Sequence, residues 1–182
     1  MFDLSLPEPL YGTILADPPW MERGGGQIKR GADRHYPLMH TRDIKALPVQ
    51  SVALPDSHLY LWVTNNFLPD GLEVMAAWGF RYVTMITWAK DRQGLGQYYR
   101  GMTEHVLFGV RGQPGYRTLP DGRRAQGTTL ITAPRGRHSA KPDQLRYMIE
   151  RVSHGPYLEM FARSNIQGWN VWGNQIAQTL GF

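Results

Sequence analysis

Asp17-Pro18-Pro19-Trp20 sets one carboxylate, two prolines and one large aromatic side by side, directly after the apolar run Tyr11–Ala16. Two prolines fix their own φ and push the residues before them toward extended geometry. Neither has an N–H, so the carbonyls of Asp17 and Pro18 stand in rigid geometry with fewer local donors to occupy them. Trp20 adds a flat face. Acceptors beside a stacking face suit a flat heteroaromatic ring that bears an exocyclic amine. The same residues also suit a Pro-Pro turn after a buried strand, with Trp20 in the core and Asp17 as a cap.

The other groups able to do chemistry are basic. The net charge is +5, and Arg supplies 16 of the 20 basic residues. That bias favours forked recognition of phosphates and carboxylates, and stacking on bases. Between 111 and 141 lie seven basic residues, among them Arg123, Arg124 and Arg135, with Asp121 the only acid. Arg23, Lys29, Arg30 and Arg34 crowd a second stretch around Gly24-Gly25-Gly26. Both stretches read as phosphate contacts or as ordinary solvated loops. The chain has no cysteine, which excludes disulfides, thiolate zinc sites and a cysteine nucleophile. Its six histidines show no HExxH or similar spacing, so no metal is expected. The start, Met1-Phe2-Asp3-Leu4, lacks the pattern of a signal peptide, and no apolar run approaches the roughly 20 residues of a membrane span. A cytoplasmic protein is expected.

Periodicity supplies the elements that must hold these groups. Tyr11–Ala16, Leu59–Thr64, Tyr82–Trp88, His105–Val110 and Tyr157–Phe161 read as strands. His40–Leu47 and Gly71–Trp78 read as helices, the second ended by Gly79. Pro142–Val152 reads as a helix with Pro at its first position and Leu145, Met148, Ile149 and Val152 on one face. Trp169–Leu180 reads as a turn and a short helix. Alternating strands and helices predict one α/β domain over 1–182, a mostly parallel sheet flanked by helices. Asp17 then falls just past a strand's carboxyl end, where open α/β sheets bind ligands.

Asp17-Pro18-Pro19-Trp20 after an apolar strand resembles the signature of methyltransferases that act on the N6 amine of adenine. Four further segments resemble one branch, the MT-A70 family: LYLWVTNN (59–66), GMTEHVLFGVRG (101–112), HSAKPDQLRYMIERV (138–152) and LEMFARSNIQGWNVWGNQ (158–175). They come in family order and span nearly the whole chain. The resemblance implies a Rossmann-like domain with permuted motif order and methyl transfer from S-adenosylmethionine to adenine N6. An aromatic amine is a weak nucleophile, because its lone pair is delocalised into the ring. Hydrogen bonds from it to Asp17 and the Pro18 carbonyl would hold it and favour a pyramidal nitrogen, so orientation and electrostatics carry the rate.

By the same resemblance, Lys141 reaches the methionine carboxylate end of the cofactor. Glu159, Phe161, Arg163 and Asn165 surround its ribose and amino-acid groups, and Asn174 and Gln175 match its "GN-[EQ]" positions. Asp3 and Leu4 correspond to an Asp-Ile pair that frames the cofactor's adenine in some relatives. Glu104 and His105 match an acceptor-side position, and Tyr36 a tyrosine that covers the base, here with Leu38 where the family has Thr. Read without the family, these are a solvated lysine, a strand-entry polar pair, a packed loop anchor and a helix-capping pair. The target base must be unpaired or flipped. Relatives that methylate messenger RNA carry zinc fingers, which a cysteine-free chain lacks, so DNA is the expected acceptor and RNA the alternative. A non-catalytic nucleic-acid-binding subunit is the rival from another class, and a homodimer is compatible with the family.

Overall fold

The computed structural model describes residues 10–21, 38–96, 98–136 and 140–173. The strands are β1 (Tyr11–Ala16), β2 (Ala53–Val63), β3 (Arg81–Ala89), β4 (Thr103–Arg111), β5 (Leu130–Thr132), β6 (Tyr157–Met160) and β7 (Trp169–Trp172). They form one sheet in the order β5-β3-β4-β2-β1-β6-β7. β4 runs antiparallel to β2 and β3, and every other neighbouring pair is parallel. The expected mostly parallel α/β architecture is therefore present.

Both faces of the sheet are covered, which is why its central strands are continuous apolar runs. Leu59, Leu61 and Val63 pack with Ile44, Val74 and Trp78 from α1 (Thr41–Lys45) and α3 (Leu68–Ala77), and with Val49 and Val52 from α2 (Val49–Val52). The alternate residues Tyr60 and Trp62 pack with Leu145 and Ile149 of α4 (Asp143–Val152). This is the two-residue period of a strand divided between two cores. The indole N–H of Trp78 donates to the Ile44 carbonyl at 3.0 Å and ties α3 to α1. Gly79 (φ 80°) ends α3 as expected, and Pro142 caps α4 rather than opening it.

α2 and β5 have no counterpart in the sequence expectation, and two further elements differ from it. β2 begins at Ala53, six residues early, because the polar stretch before Leu59 pairs with β4, Ser57 opposite Arg111 and His58 opposite Val110. Trp169–Trp172 is a strand where a turn is expected, and the helix expected toward Leu180 lies outside the described residues. The strand pairs with β6, Trp169 opposite Tyr157 and Trp172 opposite Met160. Trp169 also stacks on Tyr157, with ring centroids 4.8 Å apart. An available sheet edge overrides the local signal.

Since β4 alone is reversed, the other six strands end at one rim, and β4 begins there. That rim holds Asp17, Thr64-Asn65, Lys90, Phe161 and the entry of β4 at Thr103-Glu104-His105. Among the described residues no helix is long and apolar enough to cross a membrane.

A buried polar cluster lies on the sheet away from the rim. His58 Nδ1 and the Tyr60 hydroxyl each lie 2.8 Å from Ser153 Oγ. Burial, helped by His154, lowers the His58 pKa to about 4. Unfolded histidine titrates near 6.5, so the unfolded chain takes up the proton first on acidification, and the native state loses stability from there down to about 4. Urea denaturation across this range should lose up to about 3 kcal/mol through His58, and His58→Gln should flatten that part of the profile.

Candidate active site

Asp17 follows β1 directly, and its N–H donates to the Met160 carbonyl of β6 at 3.4 Å. Pro18 and Pro19 are buried. The Pro18 carbonyl accepts the Trp20 N–H at 2.9 Å, and the Pro19 carbonyl accepts the Met39 N–H at 2.8 Å. A proline pair with no donors of its own thus turns the chain through acceptors alone. Trp20 does not offer the open stacking face expected of it. It is 6% exposed, stacks on Phe67 with centroids 5.3 Å apart, and donates its indole N–H to the Trp62 carbonyl at 3.0 Å. Burying the ring while satisfying its one donor is the favourable arrangement for an indole. Trp20 braces the acid corner from below.

The charged groups form an alternating chain. Asp17 Oδ2 lies 2.9 Å from Lys141 Nζ, and Lys141 Nζ lies 3.3 Å from Glu104 Oε2. Glu104 Oε1 in turn lies 2.5 Å from Lys90 Nζ. Between 13% and 23% of each of these side chains is exposed, so their attractions are screened less than those of surface pairs. Burial works against the Lys141 ammonium, but Asp17 and Glu104 outweigh it and hold its pKa above the usual lysine range. Burial likewise opposes the Glu104 carboxylate, yet Lys141 and Lys90 hold it below the usual range. Each ammonium also sits over an indole, Lys141 5.3 Å from the Trp62 ring and Lys90 4.9 Å from the Trp88 ring. The expectation for Lys141 was the cofactor's carboxylate end, but here its ammonium bridges the acid corner to Glu104.

His105 faces Asn65 and Thr87. Its Nε2 is 2.7 Å from Asn65 Oδ1, which can only accept, so Nε2 carries the proton and Nδ1 accepts from Thr87 Oγ1 at 3.1 Å. Burial holds the imidazole pKa below its usual value, against the pull of Glu104. Thr64 Oγ1, on the same rim, is buried with no hydrogen-bond partner among the described residues. A buried hydroxyl left unpaired is costly, which marks a place where a ligand group has something to gain. Lys90 and Asn65 were not among the expected site residues. The available signal was position: like Asp17, each stands within two residues of a strand's carboxyl end.

On the β6 side, Glu159 sits opposite Leu15 of β1, and its carboxylate accepts from Arg146 Nε at 3.3 Å. Burial raises the Glu159 pKa against the pull of Arg146. Phe161 has φ 63°, a left-handed conformation that a bulky side chain rarely adopts, and packs edge-on to Trp172. Such strain at the end of a rim strand is typical of ligand sites. Arg163 and Asn165 follow and are exposed.

Three expected acceptor contacts divide. Arg135 follows β5 on the rim, where its N–H donates to Asp91 Oδ1 at 2.8 Å. Arg123 and Arg124 are elsewhere. Arg123 pairs with Asp121 at 2.6 Å, and Arg124 stacks on Tyr116. Their turn is anchored through Arg117, which donates to the Glu150 carbonyl near the far end of α4. That is about one ten-residue helix, ~15 Å, from Lys141. Asp3, Leu4, Tyr36, Asn174, Gln175 and the basic stretch at 23–34 lie outside the described residues. No group of three His, Asp or Glu placed to hold a metal occurs among those described.

An open, mostly parallel sheet whose strands end in this cluster defines a Rossmann-like methyltransferase domain. The MT-A70 family model matches residues 11–175, and the chain belongs to the MT-A70 family. It is 29% identical to "Type II methyltransferase M.MunI" from Mycoplasma sp, over 94% of this chain and 80% of that protein. It is 32% identical to a "Putative N(6)-adenosine-methyltransferase MT-A70-like" of Medicago truncatula, and 31% identical to the "N(6)-adenosine-methyltransferase catalytic subunit METTL3" of Homo sapiens. Those matches cover 92% and 91% of this chain but only 26% and 28% of the relatives.

Because Glu104 holds two ammoniums, Glu104→Gln should cost about 1–3 kcal/mol at neutral pH. With its folded pKa depressed, the wild-type contribution is present above the ordinary carboxylate range and is lost as acidification passes below it. Denaturation of both proteins should therefore show the gap closing in acid.

Proposed function

We propose that this chain transfers a methyl group from S-adenosylmethionine to the N6 amine of adenine in nucleic acid, with DNA as the acceptor. One observation carries the reading: a carboxylate fixed at a strand's carboxyl end already takes a nitrogen donor, Lys141 Nζ, at 2.9 Å. The adenine amine presents the same kind of donor to the same oxygen. The Pro18 carbonyl keeps one lone pair after accepting from Trp20, so it is the candidate second acceptor for the same amine. Holding both N–H groups localises the nitrogen lone pair and aims it.

S-adenosylmethionine supplies an electrophilic methyl on a positive sulfur. Its zwitterionic amino-acid end needs both signs of charge, and this rim provides Lys141 and Arg146 beside Asp17 and Glu159. Thr64 Oγ1 adds a buried polar group with no partner among the described residues. The residues assigned to hold the cofactor are Lys141, Glu159 and Phe161, with Asn174 and Gln175 carried by the family resemblance. Asp17 and the Pro18 carbonyl hold and orient the amine, and Glu104 sets Lys141 between them.

The preference for DNA is supported by the alignment over four fifths of a type II methyltransferase. The RNA reading is supported by the relatives named for N(6)-adenosine. Incubation with labelled S-adenosylmethionine and single-stranded DNA, duplex DNA or RNA, followed by digestion, should give N6-methyladenine from DNA. Product from RNA alone would reassign the acceptor. No product on any acceptor, with no cofactor binding, would remove the enzyme reading. Asp17→Ala should abolish transfer yet leave S-adenosylmethionine affinity within about tenfold, or ~1.4 kcal/mol.

A further inference from the structure

We infer that the hairpin between β3 and β4 is a stacking finger, whose paired tyrosines take up bases next to the target adenine on single-stranded nucleic acid. The inference rests on the nucleic-acid reading above and adds the element that holds the strand beside the site.

The hairpin is a built structure. It leaves the rim at Lys90 and returns at Thr103, next to Glu104. Beyond the sheet its stem continues through Lys90 N–H to the Met102 carbonyl at 2.8 Å, Gly94 N–H to the Gly101 carbonyl at 2.7 Å, and Gly101 N–H to the Leu95 carbonyl at 3.2 Å. Its base is locked into the site, because Lys90 pairs with Glu104 and Asp91 accepts the Arg135 N–H. A Cβ at Gly96 would run into the Tyr99 carbonyl oxygen, so the tip closes only with glycine there.

That tip presents Tyr98, 94% exposed, and Tyr99, 90% exposed, with Leu95 beside them at 73%. By contrast Tyr11 and Tyr60 are at most 3% exposed, and Tyr116, 60% exposed, has the Arg124 guanidinium over one face. Two neighbouring aromatics in water at the end of an ordered stem are surface held for a partner. Its chemistry selects the partner. The described tip residues include no acid, and Arg100 makes no ion pair among the described residues. Flat rings beside a guanidinium that pairs with no described carboxylate match bases and phosphates, since every base offers a π face and every linkage an anion. A second copy would bring the same cations, and a net +5, to the same place. The hairpin springs from Lys90 and the entry of β4 at Glu104, the ion pair that continues through Lys141 to Asp17, so it rises from the same rim that holds Asp17.

The test is binding of a short labelled single-stranded oligonucleotide carrying one adenine, with and without abasic positions on either side. Tyr98→Ala/Tyr99→Ala should weaken binding about tenfold or more. Tyr98→Phe/Tyr99→Phe should bind like wild type, and so should Tyr147→Ala, a control at another exposed tyrosine. The salt dependence should keep its slope, because no charge is removed. With the abasic oligonucleotide, wild type should fall to the level of the alanine variant. Equal binding by wild type and the alanine variant overturns the finger, and so does a tyrosine-dependent change in sedimentation, which makes the tip a protein contact. If wild type methylates and binds but ignores these tyrosines, only this inference fails. If it neither binds nucleic acid nor transfers methyl, the reading of the site fails with it.

Discussion

The rim is organised around one ammonium that is mostly withdrawn from water. Lys141 is held between Asp17 and Glu104 at 2.9 and 3.3 Å, and a buried cation is tolerable only with such partners. The three residues come from the end of β1, the entry of β4 and the approach to α4. A sheet of uniformly parallel strands would carry Glu104 to the opposite end. Reversing β4 alone places its first residues among the other strands' last ones, so the topology and the charge network are one constraint seen at two scales.

Beneath the charges lies a layer of tryptophans. The Trp20 indole N–H donates to the Trp62 carbonyl, Trp62 meets Trp88 edge-on at 6.1 Å, and the Trp88 indole N–H donates to the Ala133 carbonyl at 2.9 Å. Lys141 lies over the second ring and Lys90 over the third. The indoles exclude water from one side of the ion pairs, which strengthens them, and present π faces to both ammoniums. Trp20 thereby supports the acid corner from a buried position.

The molecule separates its polar groups by end. Asp17, Glu104, Lys90 and Lys141 share the rim, whereas His58, Tyr60 and Ser153 form a cluster of mutual hydrogen bonds away from it. The Arg123–Arg124 turn lies with the far end of α4 and is occupied by Asp121 and Tyr116. Charge composition alone therefore overstated the reach of the second basic stretch. Of its described members, Arg135 and Lys141 come to the rim.

Local chemistry was legible in the sequence by itself: the apolar β1 run, the donor-free proline corner after it, the glycine stop of α3 and the amphipathic α4, all written in neighbouring residues. The family motifs extended this to the identity of Asp17, Glu104 and Lys141 as residues of one site. Only the tertiary structure decided what these groups do to one another. It turned Trp20 inward, gave Lys141 to two carboxylates, brought in Lys90 and Asn65, made a strand of Trp169–Trp172, and sent Arg123 and Arg124 to the other end of a helix. The physical reason is the same in each case: burial, sheet-edge pairing and ion pairing act between segments distant in the chain, and no local periodicity records which of them will meet.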